Sequence, residues 1–411
     1  MVLQKDSATP IYPCPFATPD YGVTQKQLRI DQNSNASGTT LTETFRQFCG
    51  WLPRVLSNHL EGAPAAFREL ESERKTRERT KYSLRQLART TERNFWEIKL
   101  AERPKSFWYP YSTLRNVAVL EELCSKAGLN LLELCRGTHG KVADVGAADG
   151  DLAFFLERFG LSVEAIENEF TNFNRLEGAR TLKKALNSSV ALLSIDLDSQ
   201  FTLAARKYDA IFLLGTLYHL KNPFFLLESL ARVAKYCFLS TRIARQTADG
   251  SPLASHPVAY LLEPRECNND DTNFWIFSEQ GLKRLFDRTG WNLLSYLTIG
   301  DVTRSTPADP ERDERAFCLL EKCPPSFTAN PNPVPAGEGP GTTTVSWDTA
   351  DGSIGRIYVS VNRGEELLFA NGRRSSASAY WIETGSEYEF RLYNSDHTEL
   401  LAKVTVTRKT K

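Results

Sequence analysis

Methionine is almost missing from this chain, at one in 411 residues. A core or groove filled by flexible thioethers is thereby excluded, and packing must rest on branched and aromatic side chains. Histidine is scarce as well, at five, which leaves few groups suited to proton transfer near neutral pH. The eight cysteines contain no C-x-x-C pair. That spacing argues against a zinc site or a disulfide framework and for a reduced, cytoplasmic chain. Cys237 and Cys318 sit in apolar runs, where cysteine serves as a small hydrophobe. No apolar run reaches the length of a membrane span, and residues 1–20 lack the basic start and apolar centre of a leader. Net charge is absent too: 50 basic and 50 acidic side chains balance. Nothing global therefore draws the chain to nucleic acid or to an anionic membrane.

What is present is concentrated in Lys141-Val142-Ala143-Asp144-Val145-Gly146-Ala147-Ala148-Asp149-Gly150-Asp151. A short apolar strand ends in an acid, and a small-residue turn follows. Leu152, Phe155, Leu156 and Phe159 then mark one face of a helix that Gly160 stops. Such a strand–turn–helix unit brings backbone close to a nucleotide-like ligand at the carboxyl edge of a parallel sheet. A dinucleotide fingerprint, G-x-G-x-x-G, needs room for pyrophosphate at the helix start. Here its second position is Ala148 and its third is Asp151. Asp144, Asp149 and Asp151 crowd the turn, a setting that favours a cation over a diphosphate. S-adenosylmethionine, with its sulfonium and ammonium, fits better than NAD. The D-x-G-x-A-x-G pattern resembles motif I of the class I methyltransferases, with alanine at the middle glycine.

The downstream pattern extends that reading. Ser162–Ile166 is expected as a second strand, with Glu167 at its end to accept from the ribose hydroxyls. Val190–Ile195 is a third, ending in Asp196-Leu197-Asp198 beside the adenine. Ala210–Leu214 is wholly apolar and so buried on both faces. Asn222-Pro223 caps a helix with Phe224, Leu227, Leu230 and Ala231 on one face. Tyr236–Ser240 is a fifth strand, and Leu293–Leu297 with Ala316–Leu320 form a closing antiparallel pair. The alternation predicts an α/β fold: a doubly wound, Rossmann-like, seven-stranded methyltransferase sheet. The expected cofactor set is Asp144, Gly146, Ala148, Gly150, Glu167, Asp196, Leu197, Leu214 and Tyr218.

Leu217-Tyr218-His219-Leu220-Lys221-Asn222-Pro223, Trp108-Tyr109-Pro110-Tyr111 and Phe274-Trp275-Ile276-Phe277-Ser278 carry a closer likeness. Together they resemble the bacterial tRNA wobble-uridine methyl/carboxymethyltransferase family over roughly residues 105–322. The resemblance implies that Gly146 and Glu167 hold the cofactor and that Leu214 and Tyr218 line its reacting end. The family's L-Y-H is commonly followed directly by arginine, whereas Leu220 intervenes here before Lys221. Fold and cofactor carry over from such a likeness better than substrate does.

For methyl transfer to oxygen or nitrogen, the protein must align the acceptor, exclude water and accept a proton. His219 is the first candidate base, with Tyr218 beside it; the alternative is a histidine that shapes its loop. His256 is a second candidate, weighed against an exposed loop residue. The insertion Arg245–Thr272 is long for a simple connection, so a flap over the substrate is expected, with Tyr260 and Arg265 as its contacts; a disordered excursion is the alternative. Tyr109 and Tyr111 are the other candidate acceptor contacts.

Four regions are expected: an extended or disordered tail over 1–40, a helical region over 41–115, a methyltransferase domain over 116–323, and a β-sandwich of immunoglobulin or fibronectin type over 324–411. Between Arg74 and Lys105 basic residues cluster, as a phosphate-tracking patch or as one solvated helix face. After Cys323-Pro324-Pro325 the period switches to two, and Thr342–Trp347, Arg356–Val361, Glu366–Phe369, Tyr388–Tyr393 and Leu400–Thr407 read as strands. Trp347 and Trp381 are expected in the core, with glycan stacking as the other reading of Trp381. The acceptor stays open among a glycan, a small molecule and an RNA base, as does the oligomeric state. The competing reading is a cofactor-binding scaffold, weak or inactive in catalysis, that acts through its β-module.

Overall fold

The computed structural model describes residues 83–199, 201–203 and 207–410. The expected tail, most of the helical region and Arg74 to Lys81 fall outside them. Residues 88–411 belong to one compact unit, and the described residues 83–87 lie outside it. A helix, α1 (Leu84–Glu102), opens with a reciprocal box in which Gln86 N–H donates to Ser83 Oγ and Ser83 N–H donates to Gln86 Oε1. Its inward stripe is Ala88, Thr91, Phe95 and Lys99. A lysine at the end of an otherwise ordinary buried stripe requires a partner.

After α2 (Val117–Lys126) and α3 (Leu131–Arg136), strands and helices alternate. They are β1 (Lys141–Val145), α4 (Asp151–Glu157), β2 (Ser162–Glu167), α5 (Glu177–Leu186), β3 (Ala191–Ser194), β4 (Tyr208–Leu214), α6 (Pro223–Val233) and β5 (Ala234–Ile243). The five strands are parallel in the order β3-β2-β1-β4-β5. Every residue of β4 is buried, as its unbroken apolar run requires. Phe212 of β4 stacks on Phe238 of β5, with centroids 5.0 Å apart.

The insertion contributes β6 (Ala259–Leu261), and β7 (Trp275–Phe277) follows directly after it; the two pair antiparallel, and β7 pairs with β5 at Ile243. Then α7 (Glu279–Arg288) is capped by Ser278, whose Oγ accepts from Gly281 N–H. β8 (Trp291–Gly300) and β9 (Glu314–Lys322) follow, with β9 antiparallel to both β5 and β8. The sheet therefore has nine strands. Seven follow the expected path; the two additional ones are β6 in the insertion and β7 just after it, each of three residues and too short for a period to show.

Residues 326–406 form two antiparallel sheets, β10-β11-β14 and β13-β12-β15-β16. Their strands are β10 (Ser326–Asn330), β11 (Gly341–Asp348), β12 (Gly355–Val361), β13 (Glu366–Gly372), β14 (Arg374–Ile382), β15 (Tyr388–Tyr393) and β16 (Leu400–Val406). The two inner faces share one core, including Val345 and Trp347 from the first sheet and Ile357, Phe390 and Leu392 from the second. This is a β-sandwich. β14 escapes a reading by apolar alternation because its inward residues are mostly alanine: Ala377, Ala379 and Ile382. β10 was hidden by the prolines around it. Trp381 is not in the core; it is 38% exposed.

The sandwich meets the opposite edge of the nine-stranded sheet from the carboxyl ends of its parallel strands. Its 349–353 turn lies against the end of α6, the start of β8 and the end of β9. Arg232 Nε donates to Asp351 O at 3.3 Å, and Lys322 pairs with Asp351 at 3.5 Å.

Candidate active site

The carboxyl ends of β1, β2 and β4 converge where the sequence places a cofactor. Gly146 adopts φ +76°, and a Cβ there would lie 2.0 Å from Thr216 Oγ1 on the loop after β4. Glycine is thus required at this position by both backbone conformation and space. Ala148, at φ +53°, also sits in the left-handed region, and Gly150, at φ +83°, leads into α4. The departures from a G-x-G-x-x-G pattern do not disturb the turn.

Two carboxylates face it. Glu167 is fixed by its neighbours: Oε2 accepts from Ala148 N–H at 2.9 Å and Oε1 from Asn168 N–H at 3.0 Å. Burial raises its pKa while these bonds restrain the shift. Asp144 is 2% exposed, and its Oδ2 has no hydrogen-bond partner. Burial, then repulsion from Glu167, pushes its pKa up to about 7. A buried carboxylate oxygen left without a donor is costly in water-free surroundings and fits a cationic ligand.

The other two acids are spoken for by a residue that the motif reading did not include. Lys99 of α1, 1% exposed, places Nζ 3.1 Å from Asp149 and 3.0 Å from Asp151. Burial works against its charge, but Asp151 and Asp149 outweigh that and raise its pKa. The acidity of the turn is therefore largely internal: of three acids expected to face a ligand, Asp144 remains. No local signal identifies Lys99, because its partners lie 50 and 52 residues away.

Other expected residues are distributed as follows. Asp196 is exposed and its Oδ1 accepts from Asp198 N–H at 3.0 Å, an Asx turn at the end of β3. Leu197, 5% exposed, packs in the main core, and Leu214 ends β4 at 8% exposure. Tyr109 N–H donates to Asp149 Oδ2 at 3.0 Å, and Tyr109 OH accepts from Phe173 N–H at 2.9 Å. The rings of Tyr109 and Tyr111 are 5.5 Å apart. Tyr218 is 1% exposed and lies under Arg315, whose guanidinium is 5.7 Å from its ring. Burial opposes the Arg315 charge, yet Tyr218 and Asp313 hold its pKa above the usual range, with a further contribution from Tyr111. Arg315, on β9, was not expected here. Its strand is brought to the site by antiparallel pairing with β5, Arg315 opposite Arg242.

His219 Nδ1 lies 2.9 Å from Thr272 Oγ1 and 3.2 Å from Thr272 O. Thr272 Oγ1 itself donates to Asp270 Oδ1 at 2.7 Å, so both threonine oxygens accept from the ring. That assigns the proton to Nδ1 and leaves the Nε2 lone pair available. Burial lowers the His219 pKa, against the attraction of Asp270. The insertion is ordered around a small core that includes Leu262, Cys267 and Ile276, and Phe274 N–H donates to Tyr218 O at 2.8 Å. Tyr260 and Arg265 turn into the insertion itself: Tyr260 OH donates to Glu266 at 2.6 Å, and Arg265 pairs with Asp271. His256 is exposed beside Ser255.

Residues 115–296 match the family model described as a methyltransferase domain. This segment is a class I methyltransferase domain. Its cofactor is S-adenosylmethionine, and the unpaired Asp144 oxygen, the pinned Glu167 and the Gly146 cradle suit that ligand. No curated protein sequence matches the chain. Among solved structures, the N-terminal domain of EvdMO1 in the presence of S-adenosylhomocysteine and D-fucose is 20% identical, covering 49% of this chain and 83% of that one, with a TM-score of 0.35. TehB from Haemophilus influenzae is 18% identical over 44% of this chain and 57% of its own, TM-score 0.31. A protein of Pyrococcus horikoshii OT3 is 14% identical over 53% and 95%, TM-score 0.36. Among the described residues of the methyltransferase and its flanks, no helix is long and apolar enough to cross a membrane.

Proposed function

We propose that this methyltransferase moves a methyl group to an oxygen or nitrogen of a glycan, metabolite or RNA base. The observation that carries the reading is Asp144, a buried carboxylate with an unpaired oxygen behind the Gly146 turn. The cofactor supplies a methyl group activated on a sulfonium. Asp144 and Glu167 bind and orient it, through charge and through the ribose respectively. Gly146, Ala148 and Gly150 let the backbone approach; Asp196, Leu197, Leu214 and Tyr218 complete the cofactor set. Tyr109, Tyr111 and Tyr218 seat the acceptor, with Tyr260 and Arg265 reaching it from the insertion if that segment moves inward. With the cofactor held by Asp144 and Glu167, its sulfonium would supply the methyl group to the acceptor's lone pair and keep the electrons of the carbon–sulfur bond. The acceptor's proton then passes to His219 Nε2. Lowered pKa and an Nδ1–H tautomer keep His219 in the form that accepts it.

The likeness to the tRNA wobble-uridine family bears on fold and cofactor rather than on substrate, so the acceptor stays open among the three. For the sandwich, the immunoglobulin or fibronectin reading draws on Tyr388, at the start of β15. Its OH accepts from Glu383 N–H at 3.0 Å and donates to Trp381 O at 3.2 Å, the arrangement of a tyrosine corner. We place the domain boundary at 323/324.

Calorimetry with S-adenosylmethionine, followed by labelled-methyl transfer to cell-extract fractions with and without RNase, tests the proposal. Binding and transfer are expected, and transfer lost to RNase identifies RNA. Binding without transfer to any fraction would favour the scaffold. Absence of binding would overturn both readings.

A further inference from the structure

Lys99 is the centre of a buried polar node that the transfer step does not use. Its ammonium touches Asp149 and Asp151, and the same nitrogen lies over the rings of Trp96 and Trp108, 5.2 and 5.3 Å from their centroids. Trp108 Nε1 donates to Lys99 O at 2.9 Å. Asp149 then distributes the contact. Its Oδ2 also accepts from Tyr109 N–H, and its Oδ1 accepts from Asn174 Nδ2 at 2.8 Å. Asn174 Nδ2 in turn reaches Phe107 O at 3.1 Å. One buried cation thus ties together α1, the 107–109 segment, the turn after β1 and the loop after β2.

We propose that Lys99 is a positioning residue that makes the cofactor turn and the acceptor-side tyrosine segment a single preformed unit. The acceptor half of this statement rests on the function proposed above. Without Lys99, two carboxylates would face each other in a site closed to water, with no cation between them. The turn would then open or take up a proton, and Tyr109 would lose the anchor of its amide. The acids around the node reinforce this. Glu92 on α1 and Asp144 on β1 interact with Asp151, and Glu167 with Asp149, so no neighbouring charge replaces the lysine. Burial already raises the Asp151 pKa, to about 6 with Lys99 present. Removing Lys99 raises it further, so the defect eases as pH falls.

The test compares wild type with Lys99→Met, Lys99→Arg and Lys99→Met/Asp151→Asn. The affinity for S-adenosylmethionine is measured as a ratio to wild type at pH 8 and pH 6. For Lys99→Met a loss of about tenfold or more is expected at pH 8, shrinking at pH 6. Lys99→Arg should recover part of it. Hydrogen exchange without cofactor should show the Tyr109 amide deprotected in Lys99→Met. If Lys99→Met fails to fold, the double variant decides the matter: one carboxylate then remains, with Tyr109 N–H and Asn174 as donors, and folding and affinity should return. A folded Lys99→Met within about threefold of wild type at both pH values would overturn the proposal. So would a loss independent of pH, a Tyr109 amide as protected as in wild type, or a double variant no better than the single. Failure of the wild type to bind S-adenosylmethionine would instead strike the functional reading.

Discussion

Asp144 shows how one side chain sets a pH dependence. Its folded pKa of about 7 lies above the ordinary carboxylate value, so the folded protein without ligand holds the proton more tightly than the unfolded chain. Its contribution to stability is full below the unfolded pKa and is lost as pH rises through 7. A cationic ligand reverses the preference, because it favours the ionised form. Cofactor binding should therefore tighten as pH rises through 7 and release up to one proton below it. Calorimetry at pH 6.5 in buffers of different ionisation enthalpy checks this, and identical heats would refute it. Glu167→Ala removes the acceptor for both the Ala148 and Asn168 amides as well as for the ribose. A loss of about 2–4 kcal/mol in cofactor binding, most of the affinity, is expected by titration. Gly146→Ala forces a left-handed alanine against Thr216 and should lower stability by about 2 kcal/mol or more in denaturant unfolding.

At the scale of elements, the insertion is packed against the loop that carries Tyr218 and His219. It is fastened to the loop after β4 through Phe274 N–H on Tyr218 O and Thr272 on His219. Asn273, 2% exposed, donates to Cys267 O at 2.9 Å and holds the segment's own fold. Asn273→Ala should leave that carbonyl unsatisfied, at a cost of about 1–3 kcal/mol. Turnover should fall while cofactor affinity stays within about threefold, because the Asp144 and Glu167 contacts lie on other elements. Equal losses in both would show that the insertion also shapes the cofactor pocket. His219→Ala should likewise spare binding and reduce turnover by about a hundredfold or more if Nε2 accepts the proton. Unchanged turnover would return His219 to a role in loop structure.

Across the molecule, the two β-containing bodies of residues 88–411 meet at the edge remote from the site. Gly290, at φ +85°, has no room for a Cβ, which would lie 2.2 Å from Ala350 O of the sandwich. Gly352, at φ +70°, faces only the carboxylate end of Glu228, a side chain that can shift. The close approach at Gly290 makes the junction specific, and Asp351, 8% exposed, is its buried charge. Gly290→Ala and Asp351→Ala should each lower the melting temperature by several degrees, since about 1–2 kcal/mol is at stake in each. Cofactor affinity should remain within about threefold, because the carboxyl ends of β1, β2 and β4 face away from this junction. A concerted fall in affinity would mean that the sandwich is coupled to the site through the sheet.

Much of this was legible in residue order. Strand β4 announced itself by an unbroken apolar run, α4 by its stripe, α6 and α7 by Asn222 and Ser278, and Glu167 by its distance from Gly146. Each of those signals is local, set by backbone geometry and by a period of two or 3.6. Trp381, β14 and the β6–β7 hairpin were misread or passed over, because alanine-rich or three-residue strands carry little pattern. The turn after β1 needed the fold. Its three acids read as an invitation to a cation, and two of them already hold one: Lys99, brought back from α1 across some fifty residues. Charge compensation in a buried site depends on which groups packing brings within about 3 Å, and that pairing has no sequence period. Asp144 alone stays uncompensated, and it is there that the cofactor's charge is needed.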